Sequence, residues 1–134
     1  MLKTLSRTLL RLLGWTLLEP ANKPAKAVVI AYPHTSNWDF LYTMLGKATL
    51  SLDAHWVAKD SLFCWPLGVV MRGMGGIPVN RRQRTGFVEQ MAAEFASRES
   101  FILALAPEGT RSLTAGWKTG FYRIALAAGV PVAL

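Results

Sequence analysis

The chain has 134 residues, enough for one domain with a hydrophobic core, and its 51% hydrophobic and 17% charged residues exclude a disordered protein and indicate contact with something apolar. A net charge of +7, from 15 basic and 8 acidic residues, favours acidic partners such as phosphates, anionic lipid or an acidic carrier protein. The single cysteine, Cys64, excludes an internal disulfide and a cysteine-based zinc site.

Residues 2–18 are predicted to form an amphipathic helix. Lys3, Arg7 and Arg11 fall on one side of a helical wheel, and leucines occupy the other. The segment is too short and too charged to span a bilayer comfortably, and it lacks the small-residue cleavage site of a removed signal peptide. No acidic residue on the basic stripe offsets the cations, so the pattern favours a helix lying in the membrane interface. The alternative is an ordinary amphipathic helix packed on the protein's own core.

After a linker at 19–26, apolar runs and amphipathic segments alternate along the chain. The apolar runs carry no charge, as expected of strands that are covered on both faces. This alternation predicts an α/β fold with a largely parallel central sheet flanked by helices and joined by right-handed crossovers. Predicted strands are 27–32, 55–58, 77–79, 101–106 and 130–134; predicted helices are 37–50, 85–98 and 119–128; the apolar segment 62–71 is either a core helix or a surface that dips into lipid.

These patterns divide the chain into a membrane-associating helix at 1–18 and a folded domain at 27–134. A buried parallel strand seldom ends a domain, because its far edge would stay unpaired. The strand at 130–134 therefore indicates that C-terminal elements can be missing from this chain.

The first predicted strand is followed by the segment HTSNWD, in which a histidine and an aspartate lie five positions apart. On one straight helix, two such side chains would point roughly 140° away from each other. They can meet if His34 lies in the turn before the helix and Asp39 in its first turn, with Thr35 or Ser36 capping the helix. Asp39 would then accept the Nδ1 proton of His34 and leave Nε2 free to act as a general base on a substrate hydroxyl. The alternative is a capped helix with an incidental histidine.

A second polar cluster, PEGTRS at 107–112, follows the strand 101–106. Arg111 can hold a phosphate bidentately, and Gly109 allows the backbone to approach a ligand closely. Glu108 is predicted to accept a hydrogen bond from a ligand hydroxyl or from another loop. The alternative is a structural loop in which Glu108 and Arg111 pair at the surface.

Other cations follow other strands. Arg81 comes soon after the run 77–79 and is predicted to be a phosphate ligand, whereas Arg82 and Arg84 fit a solvated face. Lys59 ends a strand and is a weaker candidate for the same work. His55 stands alone in an apolar strand and is predicted to be a packed core or edge histidine. Cys64 is predicted to be a small buried hydrophobic residue, not a reactive thiolate.

Four blocks stand in order along the chain and carry a resemblance to a known family: His34-x4-Asp39, GIPVNR at 76–81, PEGTR at 107–111 and VPV at 130–132. They resemble the motif blocks of the glycerolipid acyltransferases of the 1-acyl-sn-glycerol-3-phosphate acyltransferase type. The segment KDSL at 59–62 is similar to a further segment of that family. The resemblance covers residues 27–134, which would then be an acyltransferase domain.

The resemblance implies transfer of a fatty acyl group from an acyl-thioester, either acyl-CoA or acyl carrier protein, to the hydroxyl of a lysophospholipid such as 1-acyl-glycerol-3-phosphate. His34 would be the base and Asp39 its partner. No metal, resident cofactor or covalent acyl-enzyme is implied. The enzyme would be a peripheral membrane protein at the cytoplasmic face. The acceptor and phosphate site would draw on Arg81, Glu108, Gly109, Thr110 and Arg111, with Lys59 as a further candidate.

The chain departs from the family pattern at two positions. Pro78 stands where the family usually carries an aliphatic or aromatic residue, and Asn80 replaces the commoner aspartate. Two other functions stay open on the sequence: a hydrolase of the same acyl-thioesters, and a non-catalytic basic lipid-binding fragment. Nucleic acid is not an expected partner, because the cations are scattered among strongly apolar segments.

Overall fold

A computed structural model describes residues 1–80, 86–109, 112 and 114–134. Within those residues, five strands form a single parallel sheet with helices before and between them. The predicted α/β fold is therefore confirmed. In chain order the elements are α1 (Leu2–Leu12), β1 (Lys26–Ile30), α2 (Trp38–Leu50), β2 (Ala54–Lys59), a 3-10 helix (Asp60–Phe63), α3 (Leu67–Gly73), β3 (Gly76–Val79), α4 (Phe87–Ser97), β4 (Phe101–Leu105), α5 (Gly120–Ala128) and β5 (Val132–Ala133).

The sheet has the strand order β3-β2-β4-β1-β5, so β4 lies between β1 and β2 although it is fourth in the chain. Ile30 at the end of β1 aligns with Leu105 at the end of β4. The N–H of Ala31 donates to the carbonyl of Leu105 at 2.9 Å and extends this pairing by one residue. Because both strands run in the same direction, the loops that follow them leave the sheet side by side at its carboxyl edge.

One face of the sheet is covered by α4 and α5. Val28 and Leu103 from the strands are fully buried against Met91 of α4 and Ile124 of α5. Burying each such side chain contributes about 1.5–3 kcal/mol, so this layer holds the sheet in place.

The opposite face carries α2. Side chains alternate across a strand, so Trp56 points away from Val57, which packs on the α4–α5 side. The ring of Trp56 meets Phe40 of α2 at 4.8 Å between centroids, in an edge-to-face arrangement. The layer beneath α2 is therefore aromatic.

The prediction of one N-terminal helix over 2–18 is wrong in extent, because α1 ends at Leu12. Gly14 adopts a φ of +80°, which glycine reaches without steric cost, and its N–H donates to the Arg11 carbonyl at 3.0 Å. The Trp15 N–H donates to the Leu10 carbonyl at 2.9 Å. These two bonds make a Schellman motif, which turns the chain out of the helix.

One side of α1 packs on α2 and buries Ser6 and Leu10. No residue of α1 itself is acidic, but Glu19 folds back from the linker and forms an ion pair with Arg7, so the basic stripe is partly offset. The charge of Lys3, followed by that of Arg7, lowers the pKa of Glu19. The leucines on the remaining side of α1 are exposed to solvent.

The apolar segment 62–71 is largely a surface and not a core helix. It forms the end of the 3-10 helix, a turn and the start of α3, and Trp65 in the turn is 85% exposed. Cys64 is also exposed, so its predicted burial is wrong. Within residues 62–71 only Phe63 and Gly68 are buried, and Gly68 packs so closely on the 3-10 helix that a Cβ there would meet the Phe63 carbonyl.

Pro78 lies in β3, which is the edge strand of the sheet. An edge strand tolerates proline because one side of its backbone needs no ladder partner. The departure from the family pattern at this position therefore fits the fold. Within the described residues, no helix is both long enough and apolar enough to cross a bilayer.

Candidate active site

His34 and Asp39 lie close together at the connection between β1 and α2. His34 lies in the loop after β1, and Asp39 lies in the first turn of α2. The Nδ1 atom of His34 is 3.4 Å from Oδ2 of Asp39. This distance is within ion-pair range and slightly longer than the usual range of about 2.7–3.2 Å for an N–H···O hydrogen bond.

The carboxylate of Asp39 is held in place by the backbone. Its Oδ2 accepts the N–H groups of Thr35 and Ser36, each at 2.8 Å. The Ser36 hydroxyl oxygen in turn accepts the Trp38 N–H at 3.2 Å. The N-cap residue of α2 is Asn37, and no side chain makes a capping bond there, so the predicted cap by Thr35 or Ser36 is wrong. Asp39 therefore faces His34 from a fixed position, because rotating it away would break two hydrogen bonds.

Glu108 links the second predicted loop to the first. Its Oε2 accepts the backbone N–H of His34 at 3.2 Å. The sequence left open whether Glu108 serves a ligand or another loop, and in this structure it binds another loop. The link is possible because β1 and β4 are neighbours and end at the same height.

Gly109 follows with a φ of +65°, and its N–H donates to the Ala106 carbonyl at 3.2 Å. This left-handed conformation favours glycine over residues with a Cβ. It produces the sharp turn that carries the chain away from the end of β4.

The catalytic candidates are accessible to a substrate. The side chain of His34 is 31% exposed and that of Asp39 is 29% exposed. In the described part of the chain, the Nε2 atom of His34 has no hydrogen-bond partner. A partly exposed imidazole with a carboxylate near Nδ1 can accept a proton at Nε2 and share the resulting charge with that carboxylate.

The remaining predicted ligands are less well defined by the structure. Lys59 ends β2 and aligns with Val79 of β3, so it lies at the same edge of the sheet. However, β4 separates its strand from that of His34, and no contact joins Lys59 to His34 or Glu108 among the described residues. Arg81, Thr110 and Arg111 lie outside the described residues, so their predicted roles stay predictions.

The sequence did not indicate that residues 117–118 lie at this edge of the sheet. The N–H of Lys118 donates to the Pro107 carbonyl at 2.8 Å, and the Lys118 side chain lies against Gly109. The ring of Trp117 contacts Tyr32, with 5.2 Å between centroids. An aromatic residue and a cation just before a predicted helix were the only local signal, and nothing in the pattern showed where the intervening loop would turn.

The other histidine belongs to a separate cluster. The side chain of His55 is 13% exposed, packs on Phe101 and bonds through Nε2 to Nη1 of Arg98 at 3.0 Å. Burial lowers the pKa of His55, the Asp53 carboxylate partly opposes this effect, and the Arg98 guanidinium adds to it. The structure therefore confirms the prediction of a packed histidine.

In open α/β sheets, ligands bind outside the carboxyl ends of the strands, and His34, Asp39 and Glu108 lie at that edge of this sheet. A sequence model of the Acyltransferase family matches residues 14–133 of this chain. The chain belongs to the acyltransferase family, and this membership supports an acyltransferase activity in general. Comparison with curated proteins and comparison with solved structures each gave no significant match.

Proposed function

We propose that this protein transfers a fatty acyl group from an acyl-thioester, acyl-CoA or acyl carrier protein, to the hydroxyl of a lysophospholipid such as 1-acyl-glycerol-3-phosphate. The observation that carries the proposal is the approach of His34 to Asp39 at 3.4 Å, beside a loop tied to it by Glu108, in a chain of the acyltransferase family. Arg81, Thr110 and Arg111 remain the proposed ligands for the acceptor and its phosphate.

In the proposed reaction, Nε2 of His34 removes the proton from the acceptor hydroxyl, and the hydroxyl oxygen attacks the thioester carbonyl carbon. A carbon–oxygen bond forms and gives a tetrahedral intermediate with a negatively charged oxygen. The carbon–sulfur bond then breaks, the thiolate leaves, and the imidazolium returns the proton to sulfur. The products are an ester and a free thiol. Asp39 stabilises the imidazolium while it exists.

A positioned base typically contributes about 10²–10⁴-fold to the rate. Positioning of the two substrates and stabilisation of the oxyanion supply the rest. The backbone bonds from Thr35 and Ser36 support this role for Asp39, because they hold the carboxylate before the substrate arrives.

We further propose that the protein acts as a peripheral membrane enzyme at the cytoplasmic face. The exposed leucines of α1 support an interfacial helix, and they belong to a helix that packs on α2, the element that carries Asp39. Trp65, Leu67 and Val69 add a second exposed apolar surface. The net charge of +7 suits an anionic leaflet, and the exposed free thiol of Cys64 suits a reducing compartment.

The test is thiol release from acyl-CoA and from acyl carrier protein across a panel of lysolipids, with mass spectrometry of the lipid products. We expect a diacyl product with the wild-type protein and none with His34→Ala, while the fold and lipid binding persist. The matched control is His55→Gln, which changes the chain's other histidine and should keep transfer. Turnover by His34→Ala at the wild-type rate would refute the base assignment.

The same assay separates the alternatives. A hydrolase would release free fatty acid and thiol even when lysolipid is present. A non-catalytic lipid-binding fragment would bind vesicles and release no thiol from either donor.

A further inference from the structure

The side chain of Lys118 lies directly across Gly109. Its Cδ, Cε and Nζ atoms are 3.0, 3.2 and 2.9 Å from the point where a Cβ on Gly109 would lie. The space that any larger residue at position 109 would fill is therefore occupied by the lysine stem and its ammonium group.

The backbone of this lysine is hydrogen-bonded to the loop that follows β4, and its neighbour Trp117 contacts the loop that follows β1. The Lys118 N–H donates to the Pro107 carbonyl at 2.8 Å, next to Glu108, whose carboxylate binds the His34 N–H. Its neighbour Trp117 packs on Tyr32, which precedes His34 by two residues. The ammonium is therefore held at the edge of the sheet that carries the imidazole.

Lys118 is exposed and forms no ion pair with any residue that the structure describes. The carboxylates of Asp39 and Glu108 accept backbone N–H groups of the first loop. A lysine in this setting attracts an anion from solution, and a phosphate is the anion that lysine binds as a point charge.

We propose that Lys118 is a phosphate-binding residue of this site, with its ammonium over Gly109 receiving a phosphate group of the substrate. The inference rests on the proposed acyl transfer for the identity of its ligand. Two substrates bring phosphate to the site: the headgroup of a lysophospholipid acceptor, and the nucleotide or phosphopantetheine part of the acyl-thioester donor. The chemistry is shared, and the experiment distinguishes the two sources.

The experiment measures equilibrium binding by isothermal titration calorimetry on the full chain. One pair of probes is 1-hexanoylglycerol 3-phosphate and 1-hexanoylglycerol, which differ in the phosphate of the acceptor. The other pair is CoA and pantetheine, which differ in the nucleotide of the donor, including its phosphates. Lys118→Met removes the charge and keeps a long side chain, Lys118→Arg restores the charge, and Arg123→Gln removes an exposed cation from α5 as a matched control.

We expect Lys118→Met to weaken binding of the phosphate-bearing member of one pair by about tenfold, the effect of one charge-assisted contact. Lys118→Arg should bind the same probe within about threefold of the wild-type affinity. Arg123→Gln should bind it with the wild-type affinity. In turnover, Lys118→Met should raise KM for the same substrate and leave kcat nearly unchanged. Loss in the first pair identifies the acceptor headgroup, and loss in the second identifies the donor.

Two results would overturn the inference: wild-type protein that binds the phosphate-free and phosphate-bearing probes equally, or Lys118→Met that binds all four probes as wild type does. Its failure is distinguishable from failure of the proposed function, because binding needs no turnover. Lysine-dependent phosphate binding without acyl transfer would overturn the function alone. Acyl transfer that is indifferent to Lys118→Met would overturn this inference alone.

Discussion

Asp39→Asn is the sharpest test of the His34–Asp39 pair. The carboxylate has two separable jobs in this structure: it accepts two backbone N–H groups at 2.8 Å, and it faces Nδ1 of His34 at 3.4 Å. Asparagine keeps an oxygen for the backbone and loses the charge that stabilises an imidazolium. Alanine loses both.

The magnitudes follow from these distances. Unit charges at the 3.4 Å separation attract by about 1 kcal/mol in water and about 5 kcal/mol at a protein-surface dielectric constant of roughly 20. Both side chains are about one-third exposed, so about 1.4–2.7 kcal/mol applies, which is about 10–100-fold in kcat. Losing two backbone hydrogen bonds costs about 1–3 kcal/mol of unfolding free energy.

We therefore expect Asp39→Asn to lower kcat for acyl transfer about 10–100-fold with less than about 1 kcal/mol change in unfolding free energy. Asp39→Ala should lose kcat and also about 1–3 kcal/mol of stability. The assays are steady-state thiol release and urea unfolding. Asp53→Asn is the control, because it changes a carboxylate that faces the chain's other histidine at 3.7 Å. An Asp39→Asn enzyme within about threefold of the wild-type kcat would refute the reasoning, because even the weakest estimate predicts a larger loss.

Two further predictions concern the surface and the core. Changing the exposed Leu5 and Leu9 of α1 together to glutamine should weaken binding to anionic vesicles at least about tenfold, since each leucine contributes about 1.5–3 kcal/mol when it leaves water. The same change at the exposed Leu126 of α5 is the control, and equal loss there would contradict an interfacial α1. Because the pKa of His55 is lowered on folding, the unfolded chain binds more protons, and unfolding free energy should fall as pH drops below about 6.5. His55→Gln should flatten that dependence in urea unfolding measured across pH, whereas an unchanged slope would assign it to other groups.

Most strands and helices could be predicted from the sequence, because the patterns that indicate them span only a few neighbouring residues. Uncharged apolar runs predicted β1 and β4 to within two residues at either end, and Gly129 marked the end of α5 through its left-handed conformation. The same kind of signal located Asp39 in the first turn of α2, although the N-cap residue is Asn37 and not the predicted Thr35 or Ser36. The length of α1 was misjudged because the leucine pattern continues past Gly14, while the backbone there turns out of the helix.

Other features depended on residues that are far apart in sequence. The pairing of Glu19 with Arg7 brings a linker acid onto a helix whose own residues are basic, and no periodicity encodes it. The exposure of Trp65 depends on how the turn between the 3-10 helix and α3 lies on the rest of the fold, which the apolar run does not encode. The roles of Arg81, Thr110 and Arg111 stay predictions, since these residues lie outside the described part of the chain.

The amino-acid sequence by itself determined the alternation of strands and helices, the two polar loops and the pairing of an imidazole with a carboxylate. These features depend on hydrophobic periodicity and turn chemistry, which act over a few residues. Only the tertiary structure decided that β4 inserts beside β1, that Glu108 therefore binds the His34 backbone, and that Lys118 returns across Gly109. Those contacts depend on which apolar faces pack together over the whole sheet. That packing joins residues far apart in the sequence, so no short segment predicts it.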